Sequence, residues 1–343
     1  MHERVERALV IGDGSWGTAL AKILAENGVA TTLWSAFPEQ AAALAEHHEN
    51  KPFLPGHALP ASMTFTADPG EACVGVDLVV SVVPTQFLRN VAMGFEEFLP
   101  NHVPVVSASK GLEIETMKPP TSILLEVLGP RDIAVLTGPS HAEEVAAGKP
   151  ATVVVASESA DLAARTQGAF SCDTFRVYTA DDRVGAELGG ALKNVIALAA
   201  GISDGLGLGD NAKAAIMTRG MVEMARFGKA QGASPATFFG LAGFGDLVTT
   251  ACSVHSRNRA VGERIGKGET LEQVLDSMQM VAEGVWTTKA LFGPETVLTA
   301  ETSMPIAEQV HAILFEGKDP SAAVRDLMTR EPTGEMDGLL AQH

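Results

Sequence analysis

The chain opens on a run that leaves few folds available to it. Ala8-Leu-Val-Ile11 is apolar and strand-length, Gly12-Asp13-Gly14-Ser15-Trp16-Gly17 follows, and a helical stretch then closes at Gly28. Three glycines between a strand and a helix permit a tight turn, close approach of a ligand to the backbone, and close packing of helix on strand. The alternation continues. Strands are expected at Ala8–Ile11, Thr31–Trp34, Leu78–Val83, Val103–Ser107, Ile133–Leu136, Ala151–Ala156 and Phe175–Tyr178, with helical stretches between them. That is the pattern of a mostly parallel sheet covered by helices.

The texture changes near Arg183. Ala-, Met- and Leu-rich segments with helical spacing then run to about Met328, broken by Gly-rich turns at Asp204–Asp210 and Leu241–Asp246. The expected architecture is an α/β N-terminal Rossmann-like domain over residues 1–183 and an all-helical domain over 184–330. Residues 331–343, with Pro, Gly and acids but no periodicity, are expected to form a flexible tail.

In this setting Gly12, Gly14 and Gly17 read as a dinucleotide turn, with the helix N-terminus offering amide donors to a pyrophosphate. The alternative is a tight turn that holds no ligand. The next strand ends Leu33-Trp-Ser-Ala-Phe-Pro38, where an NAD site usually offers an acid to the ribose 2′-hydroxyl and an NADP site an Arg. Neither stands there, so the segment admits NAD or NADP.

In the helical half, Lys193 sits in Gly189-Gly-Ala-Leu-Lys-Asn-Val-Ile-Ala-Leu-Ala-Ala-Gly201, about a turn inside an otherwise apolar helix. A helix that is apolar all round is buried, and an ammonium there finds a carboxylate or hydrogen-bond partners, or loses its proton. A lysine of lowered pKa is a candidate proton donor and acceptor. The competing reading is a lysine that snorkels along its aliphatic stem to the surface.

Two further segments join turn chemistry to charge. Gly240-Leu-Ala-Gly-Phe-Gly-Asp246 brings one carboxylate after closely packable glycines, and His255-Ser-Arg-Asn-Arg259 groups guanidinium, amide and hydroxyl donors suited to a phosphate. Taken singly, each is better explained by helix capping at Asp246 and a solvated charge run at Arg257–Arg259. Together with a buried lysine and a dinucleotide turn they favour a phosphorylated substrate.

Composition narrows the partners. At 343 residues, 46% hydrophobic and 20% charged, with a formal net charge of −17, this is a globular chain whose surface repels nucleic acid and anionic membranes. Cys73, Cys172 and Cys252 form no metal-ligand pattern and suit a reducing compartment. The first strand begins near Arg7, leaving no room for a signal peptide, and the apolar runs are too short to span a bilayer. A cytoplasmic protein without metal or stable membrane insertion is expected.

These residues carry a family resemblance. Gly-Ser-Trp-Gly-Thr-Ala-Leu-Ala ending at Ala21, Phe53-Leu-Pro-Gly56, Ser109-Lys-Gly-Leu-Glu113, Thr137-Gly-Pro-Ser-His-Ala-Glu143, the Lys193 helix, Asp204–Lys213, Gly240–Asp246, Ser256–Arg259 and Val281-Ala-Glu-Gly284 occur in order from about Ala8 to Met328. The chain resembles bacterial NAD(P)-dependent glycerol-3-phosphate dehydrogenases. The resemblance implies hydride transfer between NAD(P)H and dihydroxyacetone phosphate, giving sn-glycerol 3-phosphate for phospholipid synthesis, by a homodimer. It implies Lys193 as general acid and base. It also implies Lys110, Gly138, Ser140, Asp246, Ser256, Arg257 and Asn258 at the substrate, and Ser15, Trp16, Lys110, Ala142, Arg257, Val281 and Glu283 at the cofactor.

Four residues depart from the family's pattern. Asp13 replaces a small apolar residue and must point away from a pyrophosphate or weaken its binding; Ala36 replaces His or Arg, His141 an aromatic, and Trp286 an Arg. They bear on cofactor preference more than on the reaction. The rival readings are another hydroxyacid or 6-phosphogluconate-type dehydrogenase, which would need carboxylate recognition, and a nucleotide-binding regulator without catalysis, which would have no use for Lys110, Lys193 and Asp246 together.

Overall fold

Buried parallel strands read as unbroken apolar runs because both faces are covered, and those runs form the centre of the sheet. The structure, a computed structural model, describes residues 4–278, 281–299 and 301–339. The strands among them are β1 (Arg7–Ile11), β2 (Ala30–Trp34), β3 (Glu49–Asn50), β4 (Leu54–Ala58), β5 (Thr64–Thr66), β6 (Leu78–Ser81), β7 (Val105–Ser107), β8 (Ile133–Thr137), β9 (Ala151–Ala156) and β10 (Phe175–Ala180). Eight build one sheet in the order β10-β9-β8-β7-β6-β1-β2-β5, while β3 and β4 pair as a separate antiparallel ribbon. Every pairing in the large sheet is parallel except β8 with β9. The connectivity reverses direction at β1, which lies between β2 and β6, so the Gly12–Gly17 turn leaves the sheet at its topological switch point.

Seven of these strands match the apolar runs of the sequence to within two residues at each end. The other three were not foreseen. β5 is the three-residue edge Thr-Phe-Thr, β3 is two residues long, and β4 contains Pro55 and Gly56, which discourage a strand reading.

The chain divides into two units. One comprises the described residues up to Ser109 with Pro120–Arg183, and the other Lys110–Pro119 with the described residues from Val184 on. The helical unit thus takes ten residues that the sequence placed with the sheet, and Leu112 is buried in the helical core. The segment after Met328 also has partners unforeseen in the sequence: Leu339 is buried in that core and its carbonyl accepts a 3.0 Å hydrogen bond from Lys229 Nζ. Residues 340–343 of the expected tail lie outside the described residues.

The helical unit is organised on the helix Arg183–Gly205, whose residues from Gly185 to Ser203 are all buried. It begins well before Gly189, so Lys193 stands roughly in its third turn rather than its first. Gly189 and Gly190 do not break it. A methyl on Gly189 would lie 2.7 Å from the carbonyl oxygen of Ala242, so glycine serves a close crossing there. A second crossing brings the helix Arg257–Gly266 onto the same helix: methyls at Gly201 and Gly262 would each fall 2.1 Å from a backbone carbonyl oxygen across the contact, those of Arg259 and Leu198. Backbone cannot swing aside as a long side chain can. Replacing Gly262 by Ala gains about 1 kcal/mol of helix propensity but overpacks the crossing by about 1–3 kcal/mol. The expected result is a lower unfolding midpoint for Gly262→Ala, measured by calorimetry or denaturant titration; an unchanged or raised midpoint would show that the crossing gives way freely.

Candidate active site

At the carboxyl end of β1 each glycine of the turn has a distinct physical task. Gly12 takes φ +112°, a backbone angle L side chains rarely adopt, and a methyl there would sit 2.9 Å from the carbonyl oxygen of Val82. A methyl on Gly17 would lie 1.9 Å from the carbonyl oxygen of Gly12, so the helix Ser15–Glu26 can approach only with glycine there. Gly14 faces open space, with nothing within 4 Å of the position a methyl would take. A tight turn, a pressed helix and an open backbone face at the helix N-terminus together fit a pyrophosphate cradle.

The turn is pinned from outside. Asn50 is fully buried and donates 2.7 Å hydrogen bonds to the carbonyl oxygen of Asp13 and to Thr18 Oγ1. The Asp13 side chain reaches the residue after β2: its Oδ2 accepts from Ser35 Oγ at 2.8 Å. Burial pushes the Asp13 carboxyl up, against the Ser35 hydroxyl that draws it down. Trp16 packs against Phe175, with ring centroids 6.3 Å apart. In the same unit Gly138 and Ser140 follow β8, where Ser140 Oγ donates to the carbonyl oxygen of Gly138 at 3.0 Å, and Ala142 opens the short helix Ala142–Ala146 after His141.

The helical unit gathers the charged residues. Lys193 Nζ donates to Asp246 Oδ1 at 2.7 Å and to Thr250 Oγ1 at 2.6 Å, and Lys110 Nζ donates to the other carboxylate oxygen, Asp246 Oδ2, at 2.6 Å. The Lys193 side chain is only 7% exposed, which rules out the snorkelling alternative. Burial pulls the Lys193 ammonium down to about 8; the Asp246 carboxylate opposes this, and the charges of Lys110 and Arg257 add to it. Burial alone would push the Asp246 carboxyl up, but the two ammoniums beside it hold it below the usual carboxylate range. At neutral pH the cluster is therefore one carboxylate between two ammoniums. An ammonium has three donors. Two of those on Lys193 are committed, and among the described residues the third meets no acceptor.

Local backbone explains how Asp246 arrives there. The Gly-rich run expected to be a turn is a stretch of π-helix, Leu241–Gly245, leading directly into the helix Asp246–Cys252. Wide helical turns of this kind are rare and concentrate at functional sites. Here Gly243 tolerates the carbonyl of Phe238 at 2.0 Å from where a methyl would stand, and Gly189 the carbonyl of Ala242. Asp246 caps nothing with its side chain; it is spent on the two lysines. Thr250, one turn on, donates back to the carbonyl oxygen of Asp246 at 2.7 Å and leaves its oxygen to accept from Lys193.

The His255–Arg259 donors do not form one group. Ser256 Oγ caps its helix by accepting from Arg259 N at 3.2 Å. Arg259 is committed to Asp204 at 3.1 Å and Glu263 at 2.9 Å. Asn258 ties three helices together, donating to Asn194 Oδ1 and accepting from Gly284 N, both at 2.9 Å. Arg257 is exposed, as is His255, and one Arg257 guanidinium nitrogen lies 2.9 Å from the carbonyl oxygen of Val281, two residues before Glu283 opens the helix Glu283–Leu291. Asn50 and Thr250 were not singled out in the sequence; ordinary polar residues give no local sign of the partners the fold brings to them.

Among the described residues no group of three or more His, Cys, Asp or Glu could hold a metal ion, and no single helix is long and apolar enough to cross a membrane. Family profiles described as the N-terminus and the C-terminus of NAD-dependent glycerol-3-phosphate dehydrogenase match residues 7–163 and 182–325. The chain belongs to this family. Glycerol-3-phosphate dehydrogenase [NAD(P)+] of Citrifermentans bemidjiense is 49% identical over 333 residues, covering 96% of this chain and 99% of that one. The enzyme of the same description from Moorella thermoacetica is 49% identical over 332 residues, 97% of this chain and 98% of that one. Among solved structures, glycerol-3-phosphate dehydrogenase from Coxiella burnetii superposes with a TM-score of 0.89 at 34% identity, covering 95% of this chain and 99% of that chain. The mostly parallel sheet with a separate helical unit is the architecture of that enzyme family.

Proposed function

We propose that this protein is a glycerol-3-phosphate dehydrogenase that interconverts dihydroxyacetone phosphate and sn-glycerol 3-phosphate with NAD(H) or NADP(H), feeding phospholipid synthesis. The observation that carries the reading is Lys193: a buried ammonium drawn down to about 8, held by Asp246 and Thr250, with one donor left for a substrate oxygen. A bound nicotinamide supplies or accepts the hydride. Gly12, Gly14 and Gly17, with Ser15 and Trp16 at the helix start and Ala142 in the same unit, hold the dinucleotide.

As the substrate carbonyl gains charge, the Lys193 ammonium donates to its oxygen and delivers the proton; in the reverse direction the neutral amine accepts the alcohol proton. Asp246 keeps Lys193 oriented and charged, and Lys110 adds a second positive charge beside the developing alkoxide. Arg257 binds the phosphate, on a helix that Ser256 caps and Asn258 ties to Asn194 and Gly284. A remote phosphate contact of this kind holds the reacting carbon in place.

The test is turnover of purified protein with dihydroxyacetone phosphate, run separately with NADH and NADPH across pH. Below about 8 Lys193 is the acid, so reduction has its full rate there and falls as pH rises through about 8; oxidation of glycerol phosphate needs the amine and rises over the same interval. No turnover with either cofactor refutes the function. Turnover with the two profiles parallel instead of opposed refutes the role of Lys193.

A further inference from the structure

The acid missing from the end of β2 is supplied by the glycine turn itself. We infer that Asp13, held by Ser35, reads the adenosine ribose and makes this chain prefer NADH over NADPH; the inference rests on the dinucleotide role assigned to the turn. Ser35 follows β2 directly, and the carboxyl end of this strand is where a dinucleotide-binding fold reads the ribose hydroxyls. Its Oγ is a fixed junction: it accepts from Phe37 N at 3.2 Å and donates to Asp13 Oδ2 at 2.8 Å, fully buried. That bond turns the carboxylate out of the amide cradle, where it would repel the pyrophosphate, and toward the strand end. Among the described residues no side chain donates to Asp13 Oδ1, whose carboxylate is otherwise reached only by its own main-chain amide, and this oxygen remains for a ribose hydroxyl.

The charge of this carboxylate is not neutralised locally. Among the described residues no cation pairs with Asp13, and its hydrogen-bonding neighbours are the Ser35 hydroxyl and, at its main-chain oxygen, Asn50 and Thr18. A ribose 2′-hydroxyl can donate to such a group. A 2′-phosphate carries about −1.5 to −2 charge and only acceptor oxygens, so it meets repulsion there, and Ala36 offers it no compensating guanidinium or imidazole.

The experiment is equilibrium binding, read by fluorescence of the bound reduced nicotinamide with no substrate present. The wild-type protein is expected to bind NADH at least about tenfold more tightly than NADPH, a difference of about 1.4 kcal/mol, and to be competed by 5′-AMP at least about tenfold better than by adenosine 2′,5′-bisphosphate. Asp13→Ala is expected to narrow the NADH/NADPH ratio toward unity, with Ser35→Ala moving it the same way. Equal wild-type affinities, or a ratio unchanged in a folded Asp13→Ala protein, overturn the inference. Should Asp13→Ala not fold, the wild-type competition by the two adenosine nucleotides decides alone. Binding of neither dinucleotide overturns both this inference and the dinucleotide role of the turn, whereas equal binding of both overturns only this inference.

Discussion

Lys193→Met is expected to lower kcat for dihydroxyacetone phosphate reduction by about 10⁴-fold or more while leaving dinucleotide affinity within a few-fold of wild type. Methionine fills the volume of the lysine stem and removes only the ionisable end. A positioned general acid contributes about 10²–10⁴-fold, and loss of a charge aimed at the developing alkoxide adds about 10²–10³-fold. The two figures describe one group and do not multiply in full. Removing Lys193 also leaves Asp246 with Lys110 still at 2.6 Å, so the carboxylate keeps a counter-charge and the fold survives the exchange. The measurement is steady-state kinetics beside a dinucleotide titration. A variant with near wild-type kcat would make the buried lysine a structural ion-pair partner and nothing more.

What could be read from the chain alone follows from what is local. The central strands were legible because parallel strands covered on both faces must be apolar throughout. The glycine turn was legible because its spacing, between a strand and a helix, is itself the constraint. Lys193 stood out because every neighbour on its helix is uncharged over the run Gly189–Gly201. Features that depend on partners distant in sequence were not. Thr250 and Asn50 look like any helical threonine or loop asparagine until Lys193 and Thr18 arrive beside them, 57 and 32 residues away along the chain. Leu241–Gly245 reads as a turn because glycine is the commonest turn residue, whereas it is a π-helix in which Gly243 makes room for the carbonyl of Phe238. Arg257 and Arg259 look equivalent in sequence, and only the fold commits Arg259 to Asp204 and Glu263. Sequence sets Asp13 against the pyrophosphate because it lies within the turn, while in the fold its side-chain partner is Ser35.

Asp246→Asn is expected to be nearly as damaging to reduction at neutral pH as loss of Lys193, and its pH profile identifies the cause. The ionisation of Lys193 near 8 is a balance: burial, Lys110 and Arg257 draw it down, and Asp246 raises it. Asparagine keeps the shape and removes the only opposing charge, so Lys193 falls further below its usual range and enters neutral pH as the amine. Each unit of that fall below the working pH removes about tenfold of the acid form. The buried Lys193 then faces the half-buried Lys110 without a carboxylate, and breaking a buried ion pair in this way costs about 3–5 kcal/mol of stability. The expected outcome is therefore threefold: a lowered unfolding midpoint, a large loss of reduction rate at pH 7, and partial recovery of that rate as pH falls below 7. Recovery in acid separates a positioning role from mere damage to the fold, because a destabilised protein loses further ground in acid. If the Asp246→Asn enzyme keeps its midpoint for reduction near pH 8, then Asp246 does not set the charge of Lys193, and the proton donor must be governed by Lys110 and Thr250 without it.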